Sequence, residues 1–161
     1  MKILTVSVVL FFICLGAYAQ KNIKLYEEEQ NIIRLLANNF NANNVKEDSV
    51  YTFAIEIIPM KKGYAIETTD RIASEIFGNI DSLLSRTNFD LFQEKKARRR
   101  LILPIGIIVV NSGNENRGAI GNIEKLPSAI GRMFNVSDNK HRYRSIYLRP
   151  FFSILDKVIM Y

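Results

Sequence analysis

Tyr51-Thr52-Phe53-Ala54-Ile55-Glu56-Ile57-Ile58, then Pro59-Met60-Lys61-Lys62-Gly63, then Tyr64-Ala65-Ile66-Glu67-Thr68: this stretch decides the fold. In the first run Tyr51, Phe53, Ile55 and Ile57 alternate with Thr52, Ala54 and Glu56. Successive side chains of a strand point to opposite faces, so the alternation predicts a strand with one apolar face. Pro59 has no N–H and stops pairing, and Gly63 tolerates a positive φ. A second short strand, Tyr64 to Thr68, follows a loop of about five residues, which predicts an antiparallel hairpin. Glu56 and Glu67 fall on its two strands, where they can face each other.

Working outward, Thr69 or Asp70 can cap a helix. Ile72, Ala73, Ile76, Phe77, Ile80, Leu83 and Leu84 then form one apolar stripe at helical spacing. That face must be buried, and the hairpin is its obvious partner. A polar stretch carrying Phe89, Leu91 and Phe92 leads to the basic run Lys95-Lys96-Ala97-Arg98-Arg99-Arg100. Leu101 to Val110 is apolar and rich in branched residues, which predicts a buried strand. Pro104 within it cannot donate to a ladder and points to an edge position or a bulge.

Before the hairpin, Tyr26, Ile32, Ile33, Leu35, Leu36 and Phe40 recur at near-helical spacing, with Glu27, Glu28 and Glu29 in the first turns. The asparagine run from Asn38 to Asn44 ends this helix as a loop. Beyond Val110, Asn111 to Gly121 reads as a long loop and a short helix is expected after Pro127. Ser145 to Leu148 reads as a strand stopped by Arg149-Pro150. Phe152, Leu155 and Ile159 share a face of a predicted final helix over Phe151 to Tyr161. These elements define an α+β class: a small, mostly antiparallel sheet built hairpin–helix–strand, with helices packed on one face.

The chain begins with a short cationic start (Met1, Lys2), an apolar run from Ile3 to Gly16, and Ala17-Tyr18-Ala19 before Gln20. This is the pattern of a secretory signal peptide over residues 1–19, cleaved between Ala19 and Gln20. The apolar run is shorter than the roughly 20 residues a spanning helix needs. Residues 20–161 then form a single α+β domain, with a core at 50–110 and a C-terminal extension at 111–161. The one cysteine, Cys14, lies in the leader, so no disulfide and no thiol chemistry is expected in the exported chain. Export, most simply to the periplasm or exterior of a Gram-negative bacterium, argues against a nucleic-acid partner despite the net charge of +6.

Val50 to Ile58, Gly63 to Thr69, Arg71 to Leu84 and Arg100 to Val110 resemble the C-terminal domain of TonB-type energy transducers. That domain has a hairpin turning at a glycine, an amphipathic helix and a third strand. The resemblance covers residues 50–110 and rests on element order. The Tyr-Pro pair and glycine often found before the family's first strand are absent, as is a proline after the helix. No family site residue carries over. The resemblance implies binding of an extended peptide by strand addition at an exposed sheet edge, for which the strand bearing Pro104 is the candidate.

The residues offer little chemistry. His141 is the single histidine and lies in a cationic stretch, Lys140 to Arg144, which disfavours cation binding. Zinc sites draw mainly on cysteine and histidine, so no metal site is assigned, nor any cofactor or catalytic residue. The expected function is a non-catalytic exported envelope domain that binds a protein or peptide. Two alternatives stand beside it. Lys95, Lys96, Arg98, Arg99 and Arg100 can bind anionic lipid or polysaccharide. Glu56 and Glu67 can act as the paired carboxylates of a small hydrolase.

Overall fold

A computed structural model describes residues 22–47, 49–94, 97–110, 126–134 and 145–156. The leader with Ala19 and Gln20, the pair Lys95 and Lys96, the glycine-rich stretch 111–125 and His141 with its neighbours lie outside the described residues.

The hairpin forms as its alternation predicts. Strand β1 (Ser49–Pro59) pairs antiparallel with β2 (Tyr64–Thr68), in a register that sets Glu56 opposite Glu67 and Ile57 opposite Ile66. Gly63 takes φ 73° in the turn, and the Met60 N–H donates to the Gly63 carbonyl at 3.2 Å. Strand β3 (Arg100–Val110) pairs antiparallel with the other side of β1 over Ser49 to Ile57. Phe53, Ile55, Ile57, Leu101, Leu103, Ile105, Ile107 and Val109 are all buried on one face of these strands. Fully burying side chains of this size contributes about 1.5–3 kcal/mol each, so this face is the main driving force of the fold.

Three helices cover it. Helix α1 (residues 22–38) buries Ile32 and Leu36, with Ile33 and Leu35 at the margin of the core. The asparagine run that follows is a loop with one 3₁₀ turn (Ala42–Asn44), docked by the Asn41 N–H on the Ile76 carbonyl at 2.8 Å. The stripe from Ile72 to Leu84 forms two helices, not one: α2 (Ile72–Phe77) and α3 (Ile80–Leu84). Gly78 separates them at φ 73°, ψ −142°, which side chains with a Cβ rarely adopt. Asn79 then restarts the chain as N-cap, its side chain accepting from the Ser82 N–H at 3.0 Å. Asp70 serves the start of α2 by accepting from the Ile72 N–H at 3.0 Å. Thr69 bonds the sheet instead, accepting from the Ala54 N–H at 2.8 Å.

The opposite face of the sheet carries helix α4 (Leu126–Met133), which has Pro127 in its first turn, where a missing N–H costs nothing. Its Met133 sulfur approaches Gly106, whose Cα faces away from the main core.

Two further expectations are corrected. The segment after Arg149-Pro150 is not a helix through its first six residues: Phe151–Asp156 is strand β5. It follows β4 (Ser145–Tyr147), and both pair parallel with the free side of β3. A buried central strand must satisfy its N–H and C=O groups on both sides, and that demand overrides the local helical spacing. Strand β3 is therefore interior, and its Pro104 marks no open edge. Ile102 faces Tyr147 and Ile105 faces Phe151, so Leu103 and Pro104 oppose three residues, Leu148 to Pro150. The extra residue is a bulge. Because the Ala54 N–H and C=O bond towards Thr69, the even-numbered groups of β1 face β2 and the odd-numbered ones face β3. The register then turns the even-numbered groups of β3 towards β4 and β5, as the Leu148 N–H on the Ile102 carbonyl at 2.8 Å confirms. The N–H that Pro104 lacks would point at the bulge, where the ladder is already interrupted.

Candidate peptide-binding groove

The sheet order is β2-β1-β3, with β4 and β5 beyond, so β2 is an edge strand. Its backbone groups alternate in direction. The Thr69 N–H donates to the Ala54 carbonyl and the Gly63 carbonyl accepts from the Met60 N–H, which places Glu67 and Ala65 in hydrogen-bonded pairs with Glu56 and Ile58. The N–H and C=O groups of Tyr64, Ile66 and Thr68 consequently point outward. Among the described residues no strand pairs with them.

Beside this edge lies a cleft of about 370 Å³. Ile66 and Thr68 form its strand wall. Ser74, Gly78, Asn79, Ile80 and Asp81 form its helical wall. The break between α2 and α3 thus sits at the wall of the cleft. Asn79 is held there by its cap bond, and Ile80 is anchored by burial in the core. The lining mixes two isoleucines with hydroxyl, amide and carboxylate groups, which suits a strand whose alternate side chains differ in polarity.

A clasp holds the start of β2. The Tyr64 hydroxyl donates to Asp90 Oδ1 at 2.6 Å, and Arg98 donates to the same oxygen at 2.9 Å. Arg98 also donates to the Met60 carbonyl at 3.1 Å, with its Cζ 4.9 Å from the centre of the Tyr64 ring. The Tyr64 hydrogen bond, then that of Arg98, holds the Asp90 carboxyl below its ordinary value. Burial first, and the Asp90 carboxylate second, push the Tyr64 phenol up. The clasp is solvent-exposed, so its energetic weight is small, but it fixes the hairpin loop against the 3₁₀ turn Phe89–Phe92.

The other candidate residues group around these elements. Arg98 pairs with Asp90, Arg99 with Glu94 at 3.1 Å and Arg100 with Glu56 at 2.7 Å. Each described arginine of the basic run is therefore engaged with a carboxylate of the same chain. Glu56 and Glu67 do sit directly opposite, on the sheet face away from the cleft. Glu56 is only 7% exposed and bound to Arg100, whereas Glu67 is exposed. Among the described residues, no three His, Cys, Asp or Glu side chains converge in a way that could hold a metal ion. No helix among them is long and apolar enough to cross a membrane.

Sequence reasoning located the hairpin and the stripe but missed the cleft. Its signal was the pair Gly78-Asn79, a helix stop followed by a helix cap, in the middle of an apolar stripe. Compared with known proteins, the chain matches no family model, no curated protein and no solved structure.

Proposed function

We propose that this chain is a non-catalytic exported envelope domain that binds an extended segment of a partner protein by strand addition along β2. The observation that carries this reading is the outward row of backbone groups at Tyr64, Ile66 and Thr68 beside the cleft. In strand addition the main-chain bonds supply affinity and pockets for alternate side chains supply specificity. An edge with a cleft along it offers both. The hairpin–helix–strand order over residues 50–110, the basis of the likeness to TonB-type C-terminal domains, agrees with strand addition as a mode, but on β2, since the strand bearing Pro104 is covered by β4 and β5.

The register supplies the test. The Ile66 N–H points outward, so Ile66→Pro removes a docking donor while sparing the ladder to β1. The Ala65 N–H points at β1, so Ala65→Pro should break the hairpin by removing a ladder hydrogen bond. Peptides selected by display against the full chain should lose at least tenfold in affinity for Ile66→Pro, as read by fluorescence anisotropy. Urea unfolding of that variant should change far less than that of Ala65→Pro. Undiminished peptide binding by Ile66→Pro would overturn the proposal.

A further inference from the structure

The groove reading leaves one residue of the edge without a role. Glu56 and Glu67 face each other across a hydrogen-bonded pair, and like charges directly opposite destabilise a sheet. Arg100 offsets one of them by its 2.7 Å contact with Glu56. Glu67 remains exposed, on the outermost strand, with no ion pair among the described residues. Strand β2 itself carries no cation. From Tyr64 to Ser85 the carboxylates are Glu67, Asp70, Glu75 and Asp81 against the single cation Arg71, with Lys61 and Lys62 before this stretch and Arg86 after it. Asp81 lines the cleft itself.

We infer that the added strand is cationic in a specific place: its residue registered opposite Glu67 is a lysine or arginine. This rests on strand addition along β2. Since Tyr64, Ile66 and Thr68 supply the outward hydrogen bonds, an antiparallel ligand meets Glu67 in a non-hydrogen-bonded pair, the geometry in which facing side chains stand closest. A lysine or arginine there sets a cation on each side of the facing Glu56 and Glu67, Arg100 on one side and the ligand residue on the other. The neighbouring ligand residues turn to the other face, towards the cleft walled by Ile66, Thr68, Asn79, Ile80 and Asp81. The chemistry of the partner is thus an extended segment with a basic residue in register with Glu67.

The test uses the full chain and three nonapeptides of alternating threonine and valine, identical except for Lys, Gln or Glu at the centre, with valine on each side of it. Affinity should fall in the order Lys, Gln, Glu, spanning roughly fivefold to thirtyfold from first to last, the range set by cross-strand charge pairs. Raised salt should narrow the span. With Glu67→Lys the order should invert. Equal affinities for all three peptides, with binding still abolished by Ile66→Pro, would overturn the charge inference and leave strand addition standing. An order that survives Glu67→Lys would overturn it too, since the selectivity would come from elsewhere. Absence of binding by every peptide, or binding indifferent to Ile66→Pro, would remove both readings.

Discussion

Along β2 the outward backbone groups of Tyr64, Ile66 and Thr68 run beside a cleft walled by two short helices. Along the opposite edge, β4 and β5 form one line broken by Leu148-Arg149-Pro150, with Phe152 57% and Ile154 65% exposed. The second edge carries devices that discourage pairing: a bulge, a proline and a charge within a few residues. The first carries only Glu67. An edge that is left regular and acidic next to a cleft is suited to a ligand, and an edge that is interrupted is suited to closing the fold.

Their energetic roles should differ accordingly. β5 is anchored by Phe151, which is 5% exposed and meets the Phe77 ring edge-to-face at 5.7 Å. Phe151→Ala should cost about 3–5 kcal/mol in urea unfolding, the range for a buried phenylalanine. Ile66→Ala, at a half-buried position, should cost clearly less and weaken peptide binding instead. Equal losses for the two would break the contrast between a structural and a functional edge.

A smaller effect sharpens the picture at β5. A Cβ on Gly106 would lie 2.8 Å from Phe152 Cδ2, so Gly106→Ala should cost about 1–3 kcal/mol through overpacking. Phe152 is exposed enough to yield, so adding Phe152→Ala should recover much of the loss in a double-mutant cycle. Simple additivity of the two substitutions would show that the glycine serves backbone conformation and not the ring.

The smallest effect lies at the clasp on β2. The Asp90 carboxyl is held below its ordinary 3.8 in the folded chain by Tyr64 and then Arg98. A depressed folded-state value means that the contribution to stability is fully present above the unfolded-state value and is lost as pH falls through the folded one. Stability should therefore show a small acid-side decline below about pH 4 that Asp90→Asn removes, measured by denaturant midpoints between pH 2.5 and 6. An unchanged profile would mean that the clasp orders the loop without stabilising it.

Much of this was legible in the residues. Tyr51 to Thr68 encodes its hairpin in period-two alternation and a glycine turn, both local properties. Leu101 to Val110 announces a buried strand by its unbroken apolar run. Phe151 to Asp156 misled, because Phe152, Leu155 and Ile159 satisfy helical spacing, and the residues show no apolar–polar alternation even though Phe151, Ser153 and Leu155 turn out less exposed than Phe152, Ile154 and Asp156. Only the unmet backbone groups of β3, distant in sequence, decide between them. Pro104 misled less. Edge and bulge were both open, and the bulge holds because an extra residue on the partner strand meets the missing N–H.

Sequence alone determined the class of the fold, the hairpin and the face of β1 that enters the core, since alternation and turn chemistry act within a few residues. It also placed Glu56 and Glu67 on facing strands. Tertiary structure alone decided which strand is the edge, because edge status belongs to the order of strands in a sheet and not to any one of them. It likewise decided that Arg98, Arg99 and Arg100 are held by Asp90, Glu94 and Glu56, and that a break at Gly78 opens a cleft beside Ile66. These are meetings between segments far apart in the chain, and local periodicity carries no information about them.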